Sequence, residues 1–233
     1  MATTRPSPEQ EAEAALTVPL PLVGEAELLE QAADALGRNG WWHGTQMLDS
    51  AQVAALIEEL DALREADRLH RAGIGRELDF QIDSDIRRDR IVWLNRQRPV
   101  QSAFLDQMER LRLALNRRLF LGLFEFEGHF AHYPPGGFYK RHLDSFRGAA
   151  NRLVSVVVYL NRDWQAGDSG ELVLFSEDES ETLAVIEPRA GSMALFLSEE
   201  IPHEVRPAHK DRSSIAGWFR LNASIDGQID PPR

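Results

Sequence analysis

The feature that most constrains this chain is a change of texture after Phe120. Beyond it, apolar and β-branched residues come in short runs: FEFEGHFAHY at 124–133, RLVSVVVYLN at 152–161, ELVLF at 171–175, TLAVIE at 182–187, SMALFL at 192–197 and SIAGWFRLN at 214–222. PPGG at 134–137, AGDSG at 166–170, Pro188, Gly191 and Pro202 separate them. Short strands at regular spacing, punctuated by turn residues, specify an all-β sandwich or barrel. The first half reads differently. Residues 25–36 have helical apolar spacing closed by Gly37 or Gly40. Asp49 and Ser50 introduce a second helix through Val53, Leu56, Ile57, Leu60, Leu63 and Leu69. A third follows Pro99, with Phe104, Leu105, Met108, Leu111, Leu115 and Leu119 on one face. Helices first and strands second predict a mainly β fold whose helices buttress one sheet.

Residues 1–24 mix Pro6, Pro8, Pro19 and Pro21 with Glu, Ala and Thr without a sustained period, and are expected to form a disordered arm. The remainder, 25–233, is expected to be one domain, with helical support over 25–120 and a β core over 121–222. Between the second and third helices, the Gly- and Asp-containing stretch 72–98 ends in the strand-like IVWL at 91–94. It is too long for a simple turn, and loops of that length often carry function.

Composition narrows the chemistry. With 43% apolar residues over 233 positions the chain can bury a real core. It contains no cysteine, which excludes disulfides, zinc–thiolate sites and iron–sulfur clusters and fits a reducing cytoplasm. No stretch resembles a signal h-region or a membrane span, so a cytoplasmic protein without membrane association is expected. The formal charge of −11 disfavours nucleic acid, whose phosphates call for Lys and Arg, although Arg87, Arg88 and Arg90 cluster locally, as do Arg96 and Arg98.

His142-Leu143-Asp144 is the first chemical feature. In an extended segment, residues two apart point the same way, so imidazole and carboxylate can grip one ion. Alone the motif is weak, and a surface loop bearing two polar residues explains it equally well. His203 strengthens it, following Pro202 in the turn expected after SMALFL. Two histidines and a carboxylate on one face of an octahedral ion leave three positions open, the arrangement of non-haem Fe(II) oxygenases. Nine residues later Arg212 opens the last strand, sharing a face with Ser214, Ala216 and Trp218. Its guanidinium could pair bidentately with the distal carboxylate of a dicarboxylic cosubstrate, the alternative being a surface arginine. Tyr159, inside VVVYL, needs a hydroxyl partner if buried, and the same carboxylate would serve it or Tyr133. For either tyrosine an ordinary core or rim position is the competing reading.

Together YPPGGFYKRHLD, VYLNRDW, SGELVLF, IEPRAGSMALFLS, PHEVRPAHKDR and IAGWF resemble the catalytic domain of prolyl 4-hydroxylases, closest to the oxygen-sensing type and its bacterial relatives. The resemblance covers about residues 76–222, and DSDIRRDRIVW at 83–93 resembles the segment before the core. It implies a double-stranded β-helix, a cupin-like jelly roll. It implies Fe(II) held by His142, Asp144 and His203, and 2-oxoglutarate bound through Arg212 and Tyr159. Trp218 would line the pocket and Tyr133 would be a further cosubstrate tyrosine, although the loop from Tyr133 to His142 is one residue shorter here. Asp89, Trp93 and Arg152 match positions at the entrance or behind the ligands. O2 is the co-reactant and ascorbate a candidate reductant. A prolyl residue of an intracellular protein is the implied target, and bacterial relatives make a loop of translation elongation factor Tu a candidate. Residues 72–90 would close over the peptide, with Arg141 and Arg147 at the rim. His129 and His132 are read as core-edge or rim residues, and His43, His70 and His209 as solvent-facing.

Two other readings compete: a 2-oxoglutarate oxygenase of a free amino acid or other small molecule, and a non-catalytic jelly-roll binding module. The complete ligand set and Arg212 argue against the second.

Overall fold

The computed structural model describes residues 25–72, 85–145 and 151–222, with the backbone of two short strands beyond them. The expected arm at 1–24, most of the proposed closing loop (73–84) and Arg147 lie outside the described residues.

Helix α1 (Glu25–Asn39) leads into strand β1 (Trp41–Gly44), helix α2 (Ser50–Glu65), strands β2 (His70–Arg71) and β3 (Arg90–Trp93), and helix α3 (Pro99–Leu119). Then come β4 (Leu123–Tyr133), β5 (Tyr139–His142), β6 (Arg152–Tyr159), β7 (Leu172–Phe175), β8 (Thr182–Ile186), β9 (Met193–Leu197), β10 (His203–Val205) and β11 (Arg212–Leu221). The short pair β12 (Ser224–Ile225) and β13 (Gln228–Ile229) follows.

Local chemistry sets the helix ends. Asp49 caps α2: its Oδ1 accepts the Gln52 N–H at 2.7 Å while Gln52 Oε1 accepts the Asp49 N–H at 3.3 Å, satisfying two donors that helix geometry leaves free. Pro99 starts α3, where a missing N–H costs nothing. At its other end Phe120 adopts a left-handed conformation (φ 55°), which ends the helix.

The strands form two sheets. One runs β1-β9-β6-β11-β4-β3-β2, the other β5-β10-β7-β8, and all ladders within them are antiparallel. Period-two alternation in the larger sheet supplies two cores. Phe130, Val154, Val156, Val158, Ile215 and Phe219 face the helices and pack with Leu29, Leu36, Phe104, Met108, Leu111 and Leu115. Ala131, Tyr133, Tyr159, Ala194 and Phe196 face the smaller sheet and pack with Leu172, Leu174, Ile186 and Val205. The apolar run VSVVVY is thus buried on both sides, and its inward positions carry Ser155, Val157 and Tyr159. A sandwich buttressed on one face by helices is the expected mainly β jelly roll. Among the described residues no helix is long and apolar enough to cross a membrane.

Three expectations need correction. The second helix stops at Glu65, capped by Ala66, so Leu69 lies beyond it, just before β2. His203 lies not in a turn but at the start of β10, paired with β5 and β7, because Pro202 ends the preceding turn and frees the next residues for the ladder. His43 is not solvent-facing: β1 sets it opposite Ala194, half-buried, with Nε2 lacking a partner, and burial lowers its pKa. His70 and His209 are exposed.

Candidate active site

The smaller sheet brings the two histidines together. His142 ends β5, His203 opens β10, and the two are register partners, which sets their rings 4.2 Å apart between centroids. Asp144 follows two residues after His142, and one ligand atom from each of the three lies within 4.8 Å of the others. His142 Nε2 is 3.5 Å from Asp144 Oδ1, and His203 Nε2 is 3.6 Å from Oδ2. Two cis ligands on an octahedral ion at ~2.1 Å would be roughly 3 Å apart, so the cluster is slightly wider than an ion would draw it.

Each imidazole is fixed by its other nitrogen. His142 Nδ1–H donates to the Lys140 carbonyl at 2.8 Å and His203 Nδ1–H to the Ile201 carbonyl at 3.1 Å. A carbonyl only accepts, so both Nε2 lone pairs are left to face the centre. Ser155 Oγ donates to Asp144 Oδ2 at 2.6 Å and lies 2.9 Å from Ser198 Oγ, both serines being buried. Tyr139 stacks on His142 at 3.6 Å between centroids. The Arg87 guanidinium lies 4.4 Å from the Tyr139 ring centre and pairs bidentately with buried Asp89 at 2.7 and 2.5 Å. Phe196 packs against His203.

Protonation suits metal binding. Burial alone would raise the Asp144 carboxyl, but the polar imidazoles of His203 and His142 beside it and the Ser155 hydroxyl outweigh it and hold it well below the usual carboxylate range. Burial, and then the neighbouring His142, push His203 down to about 4. An ionised carboxylate and a neutral imidazole are the ligating forms.

Arg212 opens β11 opposite Tyr133 and is 1% exposed. Its Nε–H donates to the Gly170 carbonyl at 2.8 Å and Nη1 lies 3.4 Å from Ser214 Oγ, whereas Nη2 has no partner among the described residues. The guanidinium sits 5.1 Å from the Tyr133 ring centre and 5.4 Å from that of Tyr159. The Tyr159 hydroxyl is fully buried and likewise has no partner among the described residues. Burial, partly offset by Arg212, raises both tyrosine pKa values, so the phenols stay protonated as donors. Gly170 has φ +72°, and a Cβ there would come within 3.3 Å of Arg212 Cδ, so the close approach needs glycine. From Arg212 toward Ser155 the inner face carries Ser214, Ala216, Val157, Ala131 and Ala194, mostly small side chains. Unpaired donors at one end of this floor and a two-His, one-Asp cluster at the other fit a dicarboxylate spanning to a metal.

The remaining expected residues lie around these. Trp218 is 9% exposed with its Nε1 unpartnered, and the Arg152 guanidinium lies 3.5 Å from its ring centre. Trp93 is 50% exposed, and Arg141 is tied to Glu179 and Glu204. Sequence reasoning missed Ser155, Ser198, Tyr139, Arg87 and Gly170. Ser155 alone left a signal, a polar residue at an inward position of a β-branched run.

Fold and site together define a jelly-roll, metal-dependent oxygenase. The 2OG-Fe(II) oxygenase superfamily profile matches residues 128–220. The crystal structure of a Pseudomonas putida prolyl-4-hydroxylase superposes with TM-score 0.76 at 42% identity, covering 83% of this chain and 99% of that one. A Trichoplax adhaerens prolyl hydroxylase, solved with a hypoxia inducible factor peptide, superposes with TM-score 0.76 at 25% identity, covering 85% and 91%. Egl nine homolog 1 of Homo sapiens is 29% identical over 214 residues, covering 87% of this chain and 48% of its own length. The chain spans about half, or less, of the length of such curated relatives. It belongs to the 2-oxoglutarate- and Fe(II)-dependent oxygenase superfamily, within its prolyl 4-hydroxylase family.

Proposed function

We propose that this chain hydroxylates a prolyl residue of a protein at the 4-position, consuming 2-oxoglutarate and O2 and releasing succinate and CO2. His142, Asp144 and His203 hold Fe(II). Arg212, with the Tyr159 hydroxyl and Tyr133 alongside, holds the distal carboxylate, and Trp218 walls the pocket. Residues 25–233 act as one domain, the helices of 25–120 supporting the jelly roll of 121–222. The observation that carries the reading is the pair of buried donors without a partner among the described residues, Arg212 Nη2 and Tyr159 OH, on the inner face of the larger sheet, between it and the smaller sheet that carries His142 and His203. Buried orphan donors are unfavourable by roughly 1–3 kcal/mol each until an acceptor arrives, and a carboxylate satisfies both.

Iron with 2-oxoglutarate and O2 supplies an oxidant able to insert oxygen into a C–H bond. The protein does the rest. The Nδ1–H bonds fix both imidazoles, Ser155 orients the carboxylate, and burial keeps water from competing for the pocket. A peptide substrate accords with the similarity to enzymes of protein prolines, and elongation factor Tu is the first target to test. Ascorbate is the reductant to try, and the cytoplasm the expected location.

The test loads the protein anaerobically with Fe(II), adds 2-oxoglutarate, air and either cell lysate or elongation factor Tu, and maps peptides that gain one oxygen. Proline-localised oxygen with stimulated succinate release is expected. No stimulation, or equal stimulation in Asp144→Ala, would contradict it.

A further inference from the structure

Strand β4 presents His129 on the inner face, opposite Trp93 of β3 and Ala216 of β11. The side chain is 3% exposed, yet neither ring nitrogen has a partner among the described residues. Trp93 and Trp218 both contact the ring, at 5.1 and 5.5 Å between centroids, and Arg152 covers Trp218. Because Trp93 is half exposed, this row of rings runs from solvent into the sandwich. Trp218 Nε1–H is a further donor without an acceptor among the described residues.

Phe, Leu or Met would fill such a slot without stranding polar atoms, and unsatisfied buried groups concentrate where a ligand completes them. Burial lowers the His129 pKa to about 4, opposed by the smaller effects of Asp89 and Asp144 and reinforced by those of Arg87 and Arg152. The ring is therefore neutral, with one N–H to give and no charge to desolvate. Its surroundings offer N–H donors in excess between aromatic faces. The amide preceding a proline matches that: it has a carbonyl acceptor, no N–H, and a flat apolar ring attached.

We infer that His129 is a substrate-contacting, specificity-determining residue, whose N–H binds a backbone carbonyl of the target prolyl unit between Trp93 and Trp218. The inference rests on the prolyl hydroxylase reading above and adds the residue that recognises the prolyl backbone.

The test compares His129→Phe, which keeps a ring but removes both polar atoms, with His129→Gln, which restores a donor. The probe is an acetyl-capped peptide with one proline, and the same peptide with a thioamide, a weaker acceptor, at that carbonyl. His129→Phe should match or exceed the wild-type Tm and keep the thermal shift given by 2-oxoglutarate. Its peptide KM should rise at least tenfold with kcat changed only a few-fold, and His129→Gln should recover part of that loss. The thioamide should weaken binding to the wild type and add nothing in His129→Phe. Should the Phe variant not fold, the thioamide comparison between wild type and His129→Gln decides. An unchanged KM in His129→Phe, or a thioamide without effect on the wild type, overturns the inference. Wild-type 2-oxoglutarate turnover with no prolyl peptide oxidised would overturn the reading beneath it as well.

Discussion

Arg212→Met separates a cosubstrate clamp from an ordinary buried arginine. Arg212 is 1% exposed, and no acidic side chain among the described residues pairs with it. Removing one side of a buried, hydrogen-bonded charge pair costs about 2–5 kcal/mol, roughly 30- to 5,000-fold in affinity. At 2-oxoglutarate equal to ~100 Kd the wild type gains about 2.7 kcal/mol, which in a domain of this size raises Tm by roughly 5–10 °C. At the same concentration Arg212→Met sits at ~3 Kd or below, gains at most about 0.8 kcal/mol, and shifts by roughly 3 °C or less. Without ligand the variant should be at least as stable, since methionine fills similar space without an unpaired charge. The assay is anaerobic thermal denaturation with Fe(II) and either 2-oxoglutarate or 2-oxopentanoate, which lacks the distal carboxylate. Wild type should prefer the diacid and Arg212→Met should treat the two alike. A variant that keeps the full wild-type shift with 2-oxoglutarate would refute the assignment.

Ser155→Ala should weaken Fe(II) about 10- to 100-fold by freeing the Asp144 carboxylate to rotate, measured by competition with a chelator; unchanged affinity would show that Ser155 only packs. His129 predicts a pH signature. Its folded pKa, about 4, lies below the ordinary 6.5, so the unfolded chain takes the proton first. Stability should therefore fall as pH drops from 6.5 toward 4, and His129→Phe should lack that share of the slope in urea melts at stepped pH. Parallel slopes would mean the ring titrates normally.

Much of the fold is legible because its signals are long or periodic. The second and third helices carry apolar residues at helical spacing over four or more turns, and the six apolar runs after Phe120 are set apart by turns rich in Pro and Gly. β5 and β10, which bring His142 and His203 together, are four and three residues long. Their pairing depends on partners about sixty positions apart, and no local pattern encodes that. The expected site residues were named from spacing and resemblance, whereas the residues packed around them were not. Tyr139 reads as one more aromatic beside a turn until the structure stacks it on His142. His129 reads as a rim residue until both of its nitrogens prove buried and unpaired.

The most direct measurement is anaerobic titration of the protein with Fe(II) and then 2-oxoglutarate, following the visible charge-transfer band of a 2-oxo acid chelated to Fe(II). The wild type should develop the band and saturate at one equivalent of each, while Asp144→Ala should not develop it. No band in the wild type, or an undiminished band in Asp144→Ala, would contradict a metal centre built from His142, Asp144 and His203.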